Sequence, residues 1–366
     1  MVRGDGGAMR LIQVTSRRQR AKFVNFIYDL YRDDPGFVDT SVLLTRMFLE
    51  RSDRFTRESI LRVLAVVEGE RTLAQCILVF NPGFPCQQLS FFEALPGQDG
   101  AVDLLWAEAC AEAKRHDAQR IAVGLNGHVS YGVGIMTSGY GRATSFDSLY
   151  NKPYYADYFT RRGLEHHTLS TYTIDLQHID QRYGRQDRAY REFSFRPMEM
   201  ARFHQEMLLF GDLANRCLHD TFLYFDRDPA QLAELMRGLK WFLRPENLLF
   251  VLKDGGEVGF IFWHPDYNEV LTPGRRHSLA GFVLRYLLRR AQISTVKVNA
   301  IGVLPHYQKS GAAMGLFMTA LRHAGLGYLR GETNFVWDSN EHSRRFNLGM
   351  GNQVDRRYAA FVGPVS

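Results

Sequence analysis

The same order of elements runs through this chain twice, and that order constrains its fold more than any other feature. Helical periodicity comes first: Phe23, Phe26, Ile27 and Leu30 recur at i, i+3, i+4 and i+7 within a mainly helical stretch, Leu11–Leu49. Two antiparallel strands follow, Leu61–Val67 and Thr72–Phe80, turned by Glu68-Gly69-Glu70. An apolar run Leu89–Ala94, a helix over Gly100–His116, a short strand Ile121–Val123, a helix over Tyr150–Leu164 and a strand Thr171–Leu176 complete the first pass. The second pass has helices at Met198–Arg216 and Pro229–Phe242, then a hairpin of Asn247–Lys253 and Glu257–His264 turned by Asp254-Gly255-Gly256. It continues with a helix Ser278–Arg290, a strand Thr295–Val303, a helix Gly311–Ala324, a strand Glu332–Asp338, a short helix Ser339–Met350 and a strand Arg356–Val362. Alternating strands and helices predict a mixed α/β class, α+β-like, with two sheets flanked by helices. The polar stretch Gln177–Tyr190 is the expected linker. It separates domains 1–182 and 183–366.

Composition excludes several alternatives. Apolar residues make up 45% and charged residues 23% of the 366, so a disordered or fibrous chain is excluded. No apolar run reaches the ~18 residues of a membrane span. The start, MVRGDGGAMRLIQV, lacks a signal-peptide core, and Met1–Ala8 reads as a leader. The cysteines, Cys76, Cys86, Cys110 and Cys217, form no metal-binding or disulfide pattern. Together these predict a cytoplasmic protein with no metal. A net charge of +6 allows an anionic ligand.

Chemistry is concentrated in Thr295–Phe317. Val296 and Val298 alternate with Lys297 and Asn299 as in a strand, and the alternation slips at Ala300-Ile301, the mark of a bulge. Pro305 stops the strand, and Gln308, Lys309, Ser310, Gly311, Ala312 and Ala313 lead at once into a helix. A helix start carries unpaired N–H groups and a partial positive charge. With only small side chains there, a pyrophosphate can reach the backbone.

The pattern Gln308-x-x-Gly311-x-Ala313 after Val303-Leu-Pro305 resembles motif A of the GNAT N-acyltransferase superfamily. Glu332–Asp338 with Asn340 and Ser343 resembles its motif B. The chain as a whole resembles a bacterial tandem-GNAT group, with Tyr31-Arg-Asp-Asp-Pro35, Phe91-Phe-Glu93, Asn151-Lys-Pro-Tyr-Tyr155, Pro265-Asp-Tyr-Asn268 and Trp337-Asp-Ser-Asn340 as landmarks. The resemblance implies two tandem GNAT folds and acetyl-CoA, or another acyl-CoA, as co-substrate. It implies transfer of the acyl group to the amine of a small molecule by direct attack in a ternary complex. It implies cofactor contacts from Ile301, Gly302, Val303, Gln308, Lys309, Ser310, Gly311, Ala312, Ala313, Asn340 and Ser343. A carrier-protein or aminoacyl-tRNA donor, or a non-catalytic acyl-CoA-binding protein, are the alternatives.

The resemblance also has a departure. The family's usual general acid falls on Asn347, which cannot supply a proton. Tyr358 is the nearest alternative acid and Glu332 the expected base, acting through water. The segment Gly124–Gly134, after the first-half strand, carries no motif A, so the first domain is expected to lack a coenzyme A site. Asn126, His128, Tyr131 and Tyr155, with Asp266 and Asn268 in the second half, are the expected acceptor-binding residues.

Overall fold

The structure is a computed structural model and describes residues 8–183, 190–324 and 327–365. Contacts divide it into two units. The first is Met1–Leu169 with Thr272–Ser278 and Arg356–Ser366; the second is Ser170–Leu271 with Leu279–Asp355. The units are therefore not consecutive halves of the sequence. The boundary expected near residue 182 adjoins 184–189, which lie outside the described residues, as does most of the leader.

The first unit contains β1 (Arg10–Gln13), α1 (Arg17–Leu30), α2 (Ser41–Glu50), α3 (Arg54–Glu58), β2 (Ile60–Glu68), β3 (Arg71–Asn81) and β4 (Phe84–Ala94). It continues with α4 (Asp99–Arg115), β5 (Arg120–Val123), β6 (Ile135–Ser138) and α5 (Tyr155–Thr160), and the chain then enters β7 (Glu165–Asp175). The expected helical stretch Leu11–Leu49 is thus a strand and two helices, with Ser16 and Gln19 forming a reciprocal cap at the start of α1. The expected helix Tyr150–Leu164 shrinks to one and a half turns. Its first residues are held elsewhere: Asn151 bonds the backbone of Met136, while Tyr150 and Lys152 reach Asp34. Tertiary polar bonds override the periodicity there. The strand order is β1-β2-β3-β4-β5. Ala101, Val102, Leu105, Ala109 and Ala113 of α4 are buried, most of them in a core with Leu64, Cys76 and Leu89.

The second unit contains α6 (Leu176–Tyr183), β8 (Ser194–Pro197), α7 (Phe203–Leu218), α8 (Pro229–Met236), β9 (Leu248–Lys253), β10 (Gly256–Pro265) and α9 (Leu279–Arg289). Then come β11 (Thr295–Val303), α10 (Ala312–Ala324), β12 (Arg330–Thr333), β13 (Val336–Trp337), α11 (Glu341–Gly349) and the start of β14 (Gln353–Pro364), whose residues from Arg356 on belong to the first unit. Its strand order is β8-β9-β10-β11-β12. Ala312, Leu316 and Phe317 of α10 pack with Val251, Ile261 and Val296 on one face of the sheet. Phe210 of α7 and Leu232 of α8 pack with Phe250, Phe260 and Phe262 on the other.

Each unit is closed by a strand from the distant part of the sequence. In the second unit Thr173–Asp175 of β7 pairs antiparallel with Arg330–Glu332 of β12. In the first unit Phe361–Pro364 of β14 pairs with β5 and Arg357–Ala359 with β6.

Candidate functional site

The second unit carries a forked strand pair. β11 runs parallel to β12 only over Thr295–Val298 and Arg330–Thr333, and the Asn334 amide then donates to Val298 O at 2.8 Å. On its other edge β11 stays paired with β10 as far as Val303. The bulge falls at Asn299, since Phe262 faces Ala300 while Trp263 faces Val298. This is one residue before the slip expected at Ala300-Ile301. Past the bulge Ala300, Gly302 and Leu304 bond toward β10, the last through its amide to Val258 O. Alternation then turns the N–H groups of Ile301 and Val303 into the fork. Gly302 allows close packing here: a Cβ would come within 2.9 Å of Cys217 on α7.

Eight residues, 304–311, connect the fork to α10. Lys309 (φ 65°) and Gly311 (φ 93°) are both left-handed, a backbone pattern that curls successive amides toward a common centre. Among the described residues no hydrogen bond uses the amides of Gly311, Ala313 or Met314. Ser310 is engaged locally, its hydroxyl donating to Tyr307 O at 2.6 Å. A helix start with three open amides suits an anionic oxygen cluster, and a diphosphate matches that chemistry.

A polar row crosses the sheet one residue short of the fork. His264, Lys297 and Glu332 are partners in register on β10, β11 and β12, and all three are buried. The Lys297 ammonium lies 3.9 Å from the Glu332 carboxylate. Burial pushes the His264 imidazole down to about 4, opposed by the Pro265 carbonyl and assisted by Lys297. Its Nδ1 lies 2.9 Å from that carbonyl, and Tyr267 stacks on the ring. Sequence reasoning placed only Glu332 here. Lys297 sits among valines as a solvent-facing strand residue does, but helices cover both faces of this sheet.

The other expected residues take varied places. Asn340 caps α11, accepting the Ser343 amide at 3.0 Å, so both serve the helix start. Asn347 is buried, donates to Ser343 O and accepts from Asn352 at 3.0 Å. Asp266 caps a short turn by accepting the Asn268 amide. In the first unit His128 and Tyr131 are fully buried, the Tyr131 hydroxyl donating to Asp53 at 2.7 Å. Asn126 accepts the Phe91 amide at 2.9 Å. Tyr358 also belongs to the first unit, buried, with its hydroxyl directed at Leu149 O. The structure therefore gathers Ile301, Val303, Lys309–Ala313 and Glu332 in one unit and places Tyr358 in the other. A concavity of about 230 Å³ in the second unit lies at the opposite end of β11, walled by Phe242, Trp263, Tyr286 and Tyr328.

The structural counterpart of this fork in the first unit is not the glycine-rich segment after β5. It is β4, which pairs antiparallel with β3 and parallel with β5 across helix α4. β4 bulges too, Phe91 and Phe92 together opposing Cys76, with Phe91 left-handed (φ 49°). Only four residues, 95–98, then lead to α4, and a protein side chain takes the last of their amides. The Tyr158 hydroxyl accepts from Gln98 N at 3.0 Å and the Tyr155 hydroxyl from Ala94 N at 2.9 Å. Asp99 opens the helix, its carboxylate 2.7 Å from the Arg161 guanidinium.

No protein-family model matches the chain, and no curated protein resembles it in sequence. Solved structures do share its fold. A tandem GNAT protein from the clavulanic acid biosynthesis pathway aligns with a TM-score of 0.56 at 12% identity, covering 98% of this chain and 99% of that one. A GCN5-related N-acetyltransferase from Anabaena variabilis aligns with 0.56 at 11% identity, covering 98% of this chain and 73% of that one. A glucosamine N-acetyltransferase region within a fungal multi-domain GH3 β-N-acetylglucosaminidase gives 0.56 at 13%, this chain spanning 38% of that protein. At such identities the likeness is one of fold.

Proposed function

We propose that this chain, which has the tandem GNAT fold, is an acyl-CoA-dependent N-acyltransferase with a small-molecule amine as acceptor and its donor site in the second unit. The supporting observation is the coincidence of forked strands with an open helix start in β11 and α10. The amides of Gly311, Ala313 and Met314 bind the diphosphate, and Lys309 adds positive charge beside it. The N–H groups of Ile301 and Val303 order the pantetheine arm by strand-like pairing. One of them reaches the thioester oxygen and stabilises the charge that develops there. Coenzyme A supplies the activated acyl group.

The acceptor amine must lose a proton to attack. Glu332, one residue from the fork, is the group we assign to accept it through a water molecule. His264 stays neutral at physiological pH and holds no charge that competes with Lys297 for Glu332. No general acid is assigned. A thiol has a pKa of ~8.5 and leaves as thiolate near neutral pH. The first unit, with its shorter turn, binds no coenzyme A on this reading.

Calorimetry with acetyl-CoA, longer acyl-CoAs and desulfo-CoA tests the donor, and a panel of primary amines tests the acceptor. Saturable binding with little salt dependence is expected. Tight binding of aminoacyl-tRNA instead, falling steeply with salt, would reassign the donor. Glu332→Gln is expected to lower kcat while leaving coenzyme A affinity unchanged.

A further inference from the structure

The first unit holds a second, separate cluster. Three segments far apart in sequence meet in it. The Tyr31 hydroxyl of α1's C-terminus and the Tyr155 hydroxyl of α5 both donate to the same oxygen of Glu93, Oε2, each at 2.7 Å. Among the described residues nothing donates to the other oxygen, Oε1. Glu93 lines a cavity of about 80 Å³ whose walls include Val42, Phe91, Ile135 and Leu149, with Ser41, Thr45, Asn126 and Asn151 among its polar groups. The cavity sits where β4 bulges, beside Gly124 and Gly134, both left-handed (φ 83° and 94°). A Cβ on Gly134 would come within 2.6 Å of Tyr358, so the backbone there is as close as it can be.

The charge arithmetic around Glu93 is unbalanced. Burial pushes its carboxyl up to about 7, opposed by the Tyr155 and Tyr31 hydroxyls and by Lys152. Lys152 is already paired, its ammonium 2.6 Å from Asp34. Tyr154 brings no cation, and its hydroxyl donates to Ala94 O. A half-buried carboxylate whose hydrogen bonds come only from neutral hydroxyls keeps part of its desolvation cost, and a cation at its open oxygen lowers that cost. Size narrows the ligand. A cavity of ~150 Å³ accepts benzene, so 80 Å³ accepts a molecule of roughly three to five heavy atoms.

We infer that this cavity is a binding site for a small alkylammonium ion, its nitrogen on Glu93 Oε1 and its hydrocarbon against Phe91, Ile135 and Leu149. The site is independent of the donor assignment in the second unit, and either can fail without the other. Water alone would satisfy the oxygen but would leave the charge and the apolar walls unmatched.

The test is calorimetry on the full chain at alkaline pH with propylammonium, using propan-1-ol and propionate as size-matched controls. Propylammonium is expected to bind saturably at one site, the controls not at all, and Glu93→Gln to weaken it at least about tenfold. Equal binding of propan-1-ol, no saturable binding of propylammonium, or unchanged affinity in Glu93→Gln would overturn the inference. If Glu93→Gln does not fold, carbon-13 NMR of the Glu93 carboxyl in the unaltered protein decides. Its titration midpoint should fall by about one pH unit with saturating propylammonium, and an unmoved midpoint would overturn the site.

Discussion

The strand–turn–helix of the second unit and its counterpart in the first start from one topology and end in opposite chemistry. Both have a bulged strand, antiparallel to one neighbour and parallel to the next, followed by a turn and a long helix. In the second unit the turn has eight residues, 304–311, passes through Lys309 and Gly311 with positive φ, and leaves the amides at the start of α10 open. In the first unit it has four, 95–98; the Tyr158 hydroxyl takes the Gln98 amide, and Asp99, paired with Arg161, opens α4. The two turns thus differ in length and in the side chains that meet them. A small cleft of the first unit, with apolar and polar walls, includes Glu93.

Glycine substitution should separate the two turns most sharply. Gly311→Glu adds a side chain and a negative charge to the open amides and should weaken coenzyme A binding at least about 100-fold, or about 2.7 kcal/mol. Gly97→Glu in the first-unit turn (φ 72°, with open space around it) should leave that affinity unchanged. Its cost is the left-handed strain of ~1–2 kcal/mol in stability. Calorimetry and thermal melts read both. Loss of affinity in Gly97→Glu would place the nucleotide in the wrong unit.

The buried ion pair comes next. Lys297→Met leaves the Glu332 carboxylate buried without its cation and should cost roughly 3–5 kcal/mol, seen as a lowered denaturation midpoint. An unchanged midpoint would mean that water reaches Glu332 freely.

The first unit should show a smaller, pH-dependent signature. Glu93 has its folded pKa raised to about 7, above the ordinary carboxylate range. The folded state therefore binds the extra proton between those values. The stability this contributes is full below the unfolded pKa and is lost as pH rises through about 7. Urea melts should show Glu93→Gln gaining on the unaltered protein by about 2 kcal/mol between pH 5.5 and pH 8. No relative gain would mean that Glu93 is well hydrated. The smallest effect is expected from Asn340→Ala, about 1 kcal/mol from loss of the α11 cap, with coenzyme A affinity little changed.

Much of the second unit's candidate site is legible in sequence as a strand–turn–helix because its demands are local. A strand stop at Pro305, small residues at Gly311–Ala313 and an apolar helix face specify the turn without distant information. The polar row is not legible: Lys297 alternates with Val296 and Val298 whether its face meets water or helices α7 and α8. Strand exchange is equally silent, since Thr173–Asp175 and Arg357–Pro364 read as strands whichever sheet receives them. The first-unit counterpart is silent for the same reason: glycines cluster at Gly124–Gly134 after β5, whereas the bulge lies in β4. Tyr31, Glu93 and Tyr155 stand out as sequence landmarks, but only the fold brings their oxygens together.

The number of acetyl-CoA molecules bound per chain, measured by titration of the unaltered protein and of Gly311→Glu, tests the central claim directly. The account predicts one molecule per unaltered chain and none for Gly311→Glu. Two per chain, or one that survives Gly311→Glu, would contradict it.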